Sequence, residues 1–324
     1  MGVLDRVFTR FERELKGKAI RNRPLAKHTT LRVGGPAGIF VIADSINELR
    51  LVLQTALDFG LPYFVLGKGS NVLVSDEGFD GIVIELGIDF RRIVVDGGYI
   101  QAGAGVALPV LVQVACKRGL EGLAFAVGIP GSLGGALVTN AGAYGRTIGD
   151  VVRKVTVYNT LDHQLRSVDH SEIAFRYRNS SLLADGIIVE AVIKLEESDP
   201  DCVAGEMEKL FRKRKRSQPL NLPSAGSVFK NPPGLFAGKL IEEVGCKGLR
   251  VGDAQISQKH ANFIVNLGNA TANDVLTLLK KVQDEVYSVK GIILEPEITL
   301  VGEFPPSLIP RGRAGEDYEV DRVG

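Results

Sequence analysis

The sequence predicts an α+β fold with two domains. Strand-like and helix-like segments are mixed along the whole chain, and its 324 residues match two domains of about 150 residues each. A polar stretch, EESDPD at Glu196–Asp201, interrupts this pattern and marks the expected boundary. Hydrophobic residues make up 45% of the chain and charged residues 24%, as in ordinary globular proteins.

The hydrophobic periodicity predicts the elements in order. An amphipathic helix comes first, because Val3, Val7, Phe11 and Leu15 recur at helical spacing. A strand, a helix, a strand, a glycine loop and another strand follow within residues 39–74. The further predicted helices cover 108–118, 203–216, 239–244 and 272–289, the last of them capped by Thr271. The further predicted strands cover 82–86, 91–95, 99–102, 151–159, 164–168, 187–195, 262–266 and 292–302.

The bulk composition argues against several classes of protein. The net charge of +1 favours neither a nucleic-acid partner nor an acidic membrane. Three distant cysteines and four histidines without ligand spacing predict neither a disulfide framework nor a metal site. No apolar run approaches ~18 residues, and the charges within the first helix differ from a signal peptide. We therefore expect a cytoplasmic protein without metal.

Glycine is the unusual component of the composition. The chain has 38 glycines, and nineteen of them lie between Gly60 and Gly149. Such glycines indicate backbone that turns tightly or approaches another group closely. Neither the P-loop pattern nor the dinucleotide fingerprint is present. Two loops remain, GKGSN at Gly67–Asn71 and GIPGSLGG at Gly128–Gly135.

These two loops predict a bound anion. Backbone N–H groups of glycine-rich turns form anion-binding concavities, and the side chains of Ser70, Asn71, Ser132 and Asn140 can add hydrogen bonds. A pyrophosphate would suit two converging loops. The alternative interpretation is that both are only tight turns between packed strands.

Several polar residues in the second half of the chain are candidates for chemistry. Ser227 lies in PSAGSVFKNP beside Gly226, with Lys230 and Asn231 following. A serine needs activating neighbours, and the chain has no G-x-S-x-G motif that would predict a hydrolase. An ordinary turn serine is the alternative.

Paired charges provide the remaining candidates. Glu295 and Glu297 lie two apart on a predicted strand and therefore share a face, which suggests that one of them has a function. The alternative is an edge strand with a solvated side. Arg176 and Arg178 in FRYRNS could bind a carboxylate or a phosphate, or lie on the surface. The basic run Arg212–Arg216 could contact phosphate, contact nucleic acid or end a solvated helix.

Taken together, these segments resemble the UDP-N-acetylenolpyruvoylglucosamine reductases, flavoenzymes of bacterial peptidoglycan synthesis. The similarity extends from about Leu25 to Gly302. The residues of the GIPG and SAGSVF segments resemble the branch of the family that lacks an extra tyrosine-bearing substrate loop. The motifs, in order, are HTTLRVGGPA (His28–Ala37), LGKGSNVLVSDEGF (Leu66–Phe79), GIPGSLGGALVTNAGAYG (Gly128–Gly145), FRYRNS (Phe175–Ser180), PSAGSVFKNP (Pro223–Pro232) and LEPEI (Leu294–Ile298).

The resemblance implies a domain organisation and a cofactor. It implies a two-part FAD-binding domain of the vanillyl-alcohol-oxidase (PCMH) type at 21–198, dividing near residue 86, and a smaller α+β substrate-binding domain at 199–303. A helix at 1–20 and an irregular tail at 304–324 lie outside these domains. FAD would be bound non-covalently, with its pyrophosphate at the two loops. The implied cofactor contacts are Gly67, Gly69, Ser70, Asn71, Gly128, Gly131, Ser132, Gly134, Gly135 and Asn140.

The resemblance also implies a reaction. NADPH would reduce FAD, and hydride would then pass to the enolpyruvyl double bond of UDP-N-acetylglucosamine enolpyruvate. Arg178 and Glu297 would stabilise the developing negative charge, and Ser227 would donate a proton. Lys230, Asn231, Arg214 and Arg216 would contact substrate or phosphate. The enzyme would be a monomer without nucleic-acid or membrane partners.

Two other functions are compatible with parts of the sequence. The same FAD-binding fold could serve an oxidase or dehydrogenase of another alcohol, but the combination of Arg178, Ser227 and Glu297 favours the reductase. The basic run alone would suit a non-enzymatic module that binds a nucleotide sugar or RNA.

Overall fold

Helices and strands are mixed along the chain, as predicted. The computed structural model describes residues 2–15, 18–182 and 186–311. Its helices are α1 (Val3–Glu14), α2 (Ile46–Asp58), α3 (Leu108–Lys117), α4 (Leu133–Val138), α5 (Pro200–Ser217), α6 (Ala237–Glu243) and α7 (Ala272–Lys290). Its strands are β1 (Ala19–Pro24), β2 (Pro36–Ala43), β3 (Tyr63–Val65), β4 (Val72–Val74), β5 (Phe79–Leu86), β6 (Ile93–Asp96), β7 (Tyr99–Gly103), β8 (Leu120–Glu121), β9 (Gly142–Ala143), β10 (Arg146–Thr147), β11 (Val152–Tyr158), β12 (Leu165–Asp169), β13 (Phe175–Arg176), β14 (Asn179–Ser180), β15 (Ile187–Lys194), β16 (Glu196–Glu197), β17 (Ser224–Ser227), β18 (Arg250–Val251), β19 (Ala254–Ile256), β20 (Phe263–Asn266) and β21 (Thr299–Val301).

The chain divides into two units, each assembled from separate stretches of sequence. The first unit comprises Met1–Ala19, Val41–Lys68 and Val83–Arg214. The second unit comprises Ile20–Phe40, Gly69–Ile82 and Lys215–Gly324. A four-stranded sheet has the order β1-β2-β5-β3, and the chain passes from one unit to the other within β2 and β5. The domain limits expected from the sequence stay a prediction.

A five-stranded antiparallel sheet forms the centre of the first unit. Its order is β12-β11-β15-β7-β6, and most apolar side chains of its central strands are buried. Helix α1 packs on this unit through Val7 and Phe11, which are both completely buried. Arg10 of α1 also pairs with Asp58 at the end of α2, with 3.5 Å between Nη1 and Oδ2. The amphipathic pattern of the first helix is thereby confirmed.

The second unit combines a four-stranded antiparallel sheet, β17-β20-β19-β18, with α6 and α7. Helix α7 begins at the predicted N-cap, because the Thr271 hydroxyl accepts the Asp274 N–H at 3.0 Å. Leu31, Val33 and Leu73 lie far away in sequence but are buried in the same hydrophobic cluster as this helix. Strand β21 pairs in parallel with β4, with Thr299 opposite Val72.

The predicted last strand, 292–302, is wrong over most of its length. Only Thr299–Val301 forms a strand, and Pro296 makes one isolated bridge with Phe229. The hydrogen bonds of this bridge are made by the neighbours Glu295 and Glu297, and Pro296, which has no N–H, cannot extend the pairing to a strand on its other side. Of the predicted irregular tail, Pro306–Leu308 forms a short 3₁₀ turn, and 312–324 lie outside the described residues.

None of the helices in the described stretches combines the length and the apolar content needed to cross a membrane.

Candidate functional site

The two glycine loops come together within the first unit. A Cβ atom placed on Gly67 would lie 2.5 Å from the Ser132 hydroxyl oxygen, so a side chain at this position would force that hydroxyl or the loop to move. Ser132 is 4% exposed and caps α4, because its hydroxyl accepts the Gly135 N–H at 3.3 Å. The convergence that the sequence predicted is therefore present between Gly67 and Ser132.

The second glycine loop is bonded to the turn that follows β7. The Leu133 N–H donates to the Val106 carbonyl and the Gly134 N–H to the Ala104 carbonyl, both at 2.8 Å. The φ angles at Gly128 and Gly131, +72° and +128°, are rarely adopted by other residues. These bonds and angles fix the course of the loop.

The exposed backbone of these loops fits the FAD pyrophosphate expected from the resemblance. Gly67 and Gly135 are both exposed. A Cβ on Gly135 would meet only the Ser132 hydroxyl, at 3.5 Å, so its outer side is open. A side chain at either position would cover backbone that a closely approaching phosphate needs. The individual contacts predicted for the loops remain predictions.

The remainder of the GKGSN loop belongs to the second unit and is packed against HTT of the first motif. A Cβ on Gly69 would lie 2.1 Å from the His28 carbonyl oxygen. The Thr30 N–H donates to the Gly69 carbonyl at 2.9 Å, and the Thr30 hydroxyl donates to the Ser224 carbonyl at 2.7 Å. Thr30 thus connects this loop to the strand that ends at Ser227. Residue-level reasoning missed Thr30, although its motif contributed to the resemblance.

Asn71, which the sequence assigned to FAD, supports the backbone of Glu297. Its Nδ2 donates to the Glu297 carbonyl at 3.0 Å, and its own carbonyl accepts the Thr299 N–H at 3.0 Å. Ser70 beside it is half-buried. The predicted cofactor contacts of Ser70 and Asn71 stay predictions.

Ser227 lies immediately after a break in strand pairing. Ser224 is opposite Val265 and Ser227 is opposite Phe263, so three steps on β17 match two on β20. Gly226 has a φ of +78° at this bulge. Bulges bend a strand and change the direction of a side chain, which explains why glycine precedes the half-buried Ser227.

The residues after Ser227 pair with the segment that carries both glutamates. The Glu297 N–H donates to the Val228 carbonyl, and the Lys230 N–H donates to the Glu295 carbonyl, both at 2.8 Å. Pro296 is buried between two half-buried glutamates, as expected for extended backbone. Lys230 also forms an ion pair with Glu295, with 2.5 Å between Nζ and Oε1. A backbone hydrogen bond therefore joins Glu297 to Val228, the residue after Ser227.

Asn231 is an exposed residue that supports α6. Its Oδ1 accepts the Ala237 N–H at the first residue of that helix, at 3.0 Å. The predicted substrate contact of Asn231 remains a prediction.

Arg178 occupies the tight turn between β13 and β14 of the first unit. Its φ of +58° is unusual for a residue with a side chain, and its guanidinium lies over the Tyr177 ring at 5.2 Å. Asn140, predicted to contact FAD, donates from Nδ2 to the Arg176 carbonyl and accepts the Gly149 N–H, at 3.0 and 3.1 Å. Asn140 thereby holds the hairpin that carries Arg178.

The two arginines predicted to contact phosphate differ in environment. Arg214 is half-buried and donates from Nη1 to the Val127 carbonyl at 3.2 Å, directly before the GIPG loop. Burial lowers the pKa of its guanidinium, which still stays charged at neutral pH. Arg216 is exposed. Phosphate contact stays a prediction for both residues.

Comparison with protein-family models divides the chain into two matched regions. Residues 37–166 match the model described as FAD binding domain, and residues 218–301 match UDP-N-acetylenolpyruvoylglucosamine reductase, C-terminal domain. These matches, together with the mixed helices and strands, confirm the predicted α+β fold, the FAD cofactor and the oxidoreductase class.

Comparisons over most of the chain find the same family of proteins. The chain is 47% identical over 294 residues to UDP-N-acetylenolpyruvoylglucosamine reductase 2 of Symbiobacterium thermophilum, covering 90% of this chain and 95% of that protein. It is 45% identical to the reductase of Moorella thermoacetica, covering 89% and 95%. The crystal structure of the reductase from Thermus caldophilus matches with a TM-score of 0.78 and 41% identity, covering 87% of this chain and 98% of that one. The chain belongs to the UDP-N-acetylenolpyruvoylglucosamine reductase family.

Proposed function

We propose that this enzyme reduces UDP-N-acetylglucosamine enolpyruvate to UDP-N-acetylmuramate during peptidoglycan precursor synthesis, with NADPH as the reductant. Membership of the family supports the substrate. The observation that carries the catalytic assignment is the backbone hydrogen bond from Glu297 to Val228, the residue after Ser227. This bond supports placing a proton donor and a carboxyl group on adjoining segments.

The reaction requires negative charge to be stabilised on the substrate. FAD, held by the two glycine loops, would supply the hydride for the terminal carbon of the enolpyruvyl double bond. The resulting charge is shared between the neighbouring carbon and the carboxylate. We assign its stabilisation to the Arg178 guanidinium and to a protonated Glu297, because charged and hydrogen-bonding groups stabilise a transition state most where its charge develops.

Ser227 is assigned as the general acid. Its hydroxyl would donate a proton to the carbon next to the one that receives hydride, so that H⁻ and H⁺ together saturate the double bond. Lys230 is the cation proposed to favour the serine oxygen once it has lost its proton. Lys230, Asn231, Arg214 and Arg216 are proposed contacts for the substrate or for phosphate groups. The glycine loops at Gly67–Asn71 and Gly128–Gly135 are proposed to hold the FAD pyrophosphate.

A substrate-dependent assay tests the proposed reaction. Purified enzyme should be yellow and should consume NADPH, followed at 340 nm, only when UDP-N-acetylglucosamine enolpyruvate is added. NADPH consumption at the same rate without this substrate would contradict the proposal. Flavin reduction by an alcohol substrate instead would identify an oxidase or dehydrogenase on the same fold.

The Ser227→Ala variant tests the acid. NADPH should still reduce the flavin at the wild-type rate, because that step does not use the serine proton. Reoxidation of the reduced flavin by the substrate should slow by about 100-fold or more, the usual contribution of a general acid. Stopped-flow absorbance at 450 nm measures the two steps separately. Wild-type reoxidation would remove Ser227 from the mechanism.

A further inference from the structure

Asn262 lies where the pairing between β17 and β20 ends. The last paired residues are Ser227 and Phe263, and Asn262 directly precedes Phe263. Its backbone carbonyl accepts the Val228 N–H at 3.0 Å. Beyond this point the chain before Asn262 no longer runs as a strand, so its backbone cannot support the residues after Val228.

The Asn262 side chain continues the pairing instead. Its Oδ1 accepts the Phe229 N–H at 3.0 Å, and its Nδ2 donates to the Phe229 carbonyl at 2.8 Å. A carboxamide has the same donor and acceptor as a peptide group, so it can replace one unit of a neighbouring strand. Asn262 is 3% exposed and Phe229 is fully buried. Neither Phe229 group can therefore exchange its partner for bulk water.

The opposite edge of the same segment holds the glutamates. Val228 and Lys230 bond to the backbone of Glu297 and Glu295, while Phe229 between them faces Asn262. The segment from Ser227 to Lys230 is consequently fixed from both sides. Removing the support on one side would allow the segment to shift, and Ser227 and Glu297 would shift with it.

We propose that Asn262 is a positioning residue for Ser227 and Glu297, which it places without touching the reacting atoms. This role rests on the function proposed above. Asparagine is required because leucine would leave both Phe229 groups buried and unpaired, and ionised aspartate would accept one bond but lose the other.

The Asn262→Asp variant, with Asn262→Ala as a second variant, tests the role. Each should retain flavin and be reduced by NADPH at the wild-type rate. Reoxidation by the substrate should be about 10- to 100-fold slower, because displacements near 1 Å have effects of this size. A wild-type reoxidation rate in both variants would overturn the inference. Loss of flavin in both would assign a purely structural role and would also overturn it.

Asn266→Asp is the matched control. Asn266 ends the strand that begins directly after Asn262, is 2% exposed, and also uses both ends of its carboxamide. Its Nδ2 donates to Leu31, and its Oδ1 accepts from Gly268 and Ala270. This variant should lose stability but, once folded, should be reoxidised at the wild-type rate. Equal slowing in Asn266→Asp would overturn the inference.

A double-mutant cycle separates this inference from the proposed function. If Asn262 acts through Ser227, adding Asn262→Asp to the Ser227→Ala variant should lower the rate of reoxidation by the substrate much less than Asn262→Asp lowers it in the wild type. Full additivity would overturn the positioning role alone. Wild-type reoxidation in Ser227→Ala itself would overturn the acid role of Ser227, and the positioning of Ser227 by Asn262 with it, whereas absence of any substrate-dependent NADPH consumption by the wild type would overturn the proposed function.

Discussion

The residues assigned to catalysis lie in backbone that departs from regular structure. Arg178 has a φ of +58° in a two-residue turn, and Ser227 follows a bulge at which Gly226 has a φ of +78°. Such conformations persist where the surrounding contacts fix them. Asn140 supplies such a contact for the Arg178 hairpin, and Asn262 supplies one for the segment after Ser227.

The two glutamates of the L-E-P-E-I motif are expected to differ in function. Glu297→Ala should lower the rate of reoxidation by the substrate about 100-fold or more, because the carboxyl group that stabilises the charge is lost. Glu295→Ala should have less than about a 10-fold effect on this rate and should mainly raise KM, because Glu295 pairs with Lys230. Single-turnover and steady-state kinetics on both variants measure these effects. A larger effect of the Glu295 variant on the reoxidation rate would assign charge stabilisation to Glu295 instead of Glu297.

His260 is expected to make stability depend on pH. Burial lowers the pKa of its imidazole, and its Nδ1 accepts the Asn262 N–H at 3.2 Å. The unfolded chain therefore binds a proton more readily than the folded chain. This contribution to stability is complete above the ordinary value near 6.5 and is lost as the pH falls toward the lower folded pKa.

Urea unfolding at pH 7.5 and pH 5.5 measures this effect. The free energy of unfolding should fall more between these values in the wild type than in His260→Gln, which cannot titrate. The same decrease in both proteins would show that other groups cause the pH dependence.

At the scale of elements, the contact between the two glycine loops should control flavin binding. Gly67→Ala should reduce the flavin content of the purified protein, because the new methyl group would lie 2.5 Å from the Ser132 hydroxyl and displace the loops. The ratio of absorbance at 450 nm to that at 280 nm measures this content. Unchanged flavin in Gly67→Ala would contradict the prediction.

A second substitution provides the control. Ser132→Ala removes the clashing oxygen and leaves Cβ at 3.5 Å, an ordinary contact. It also removes the cap on α4, at a cost of about 1 kcal/mol. The double variant Gly67→Ala/Ser132→Ala should therefore retain more flavin than Gly67→Ala alone. Additive losses would show that the two loops act independently.

At the scale of the molecule, the second unit depends on distant parts of the chain. Leu31, Val33 and Leu73 are buried in its core, and β21 pairs with β4. A fragment of residues 215–324 lacks Leu31, Val33, Leu73 and the rest of β4, although it contains the whole of the matched C-terminal model. We expect this fragment to lack cooperative unfolding, because each missing large core side chain contributes about 2–5 kcal/mol.

Circular dichroism during urea titration tests this expectation, with the full-length chain as the control. A cooperative transition of the fragment near the midpoint of the full chain would show that the C-terminal region folds alone.

Local pattern was sufficient for much of the fold. Helix α7 and its cap at Thr271 were predicted within one residue, because apolar spacing and capping act over a few residues. The predicted last strand was wrong because a strand requires a partner along its whole length, and this segment pairs with Phe229 at one isolated bridge and with β4 over Thr299–Val301. The discontinuous second unit was also not predicted, since contacts between Leu31 and α7 residues have no local signal.

The sequence by itself determined the fold class, the family motifs and the residue types available for chemistry, including Arg178, Ser227 and Glu297. Only the tertiary structure decided how these residues are supported. Asn71 and Asn140 were interpreted as cofactor contacts, yet their carboxamides hold the backbone near Glu297 and Arg178. Asn262 was not singled out at all. The physical reason is that a carboxamide can bond to any peptide group, and only folding determines which one lies beside it.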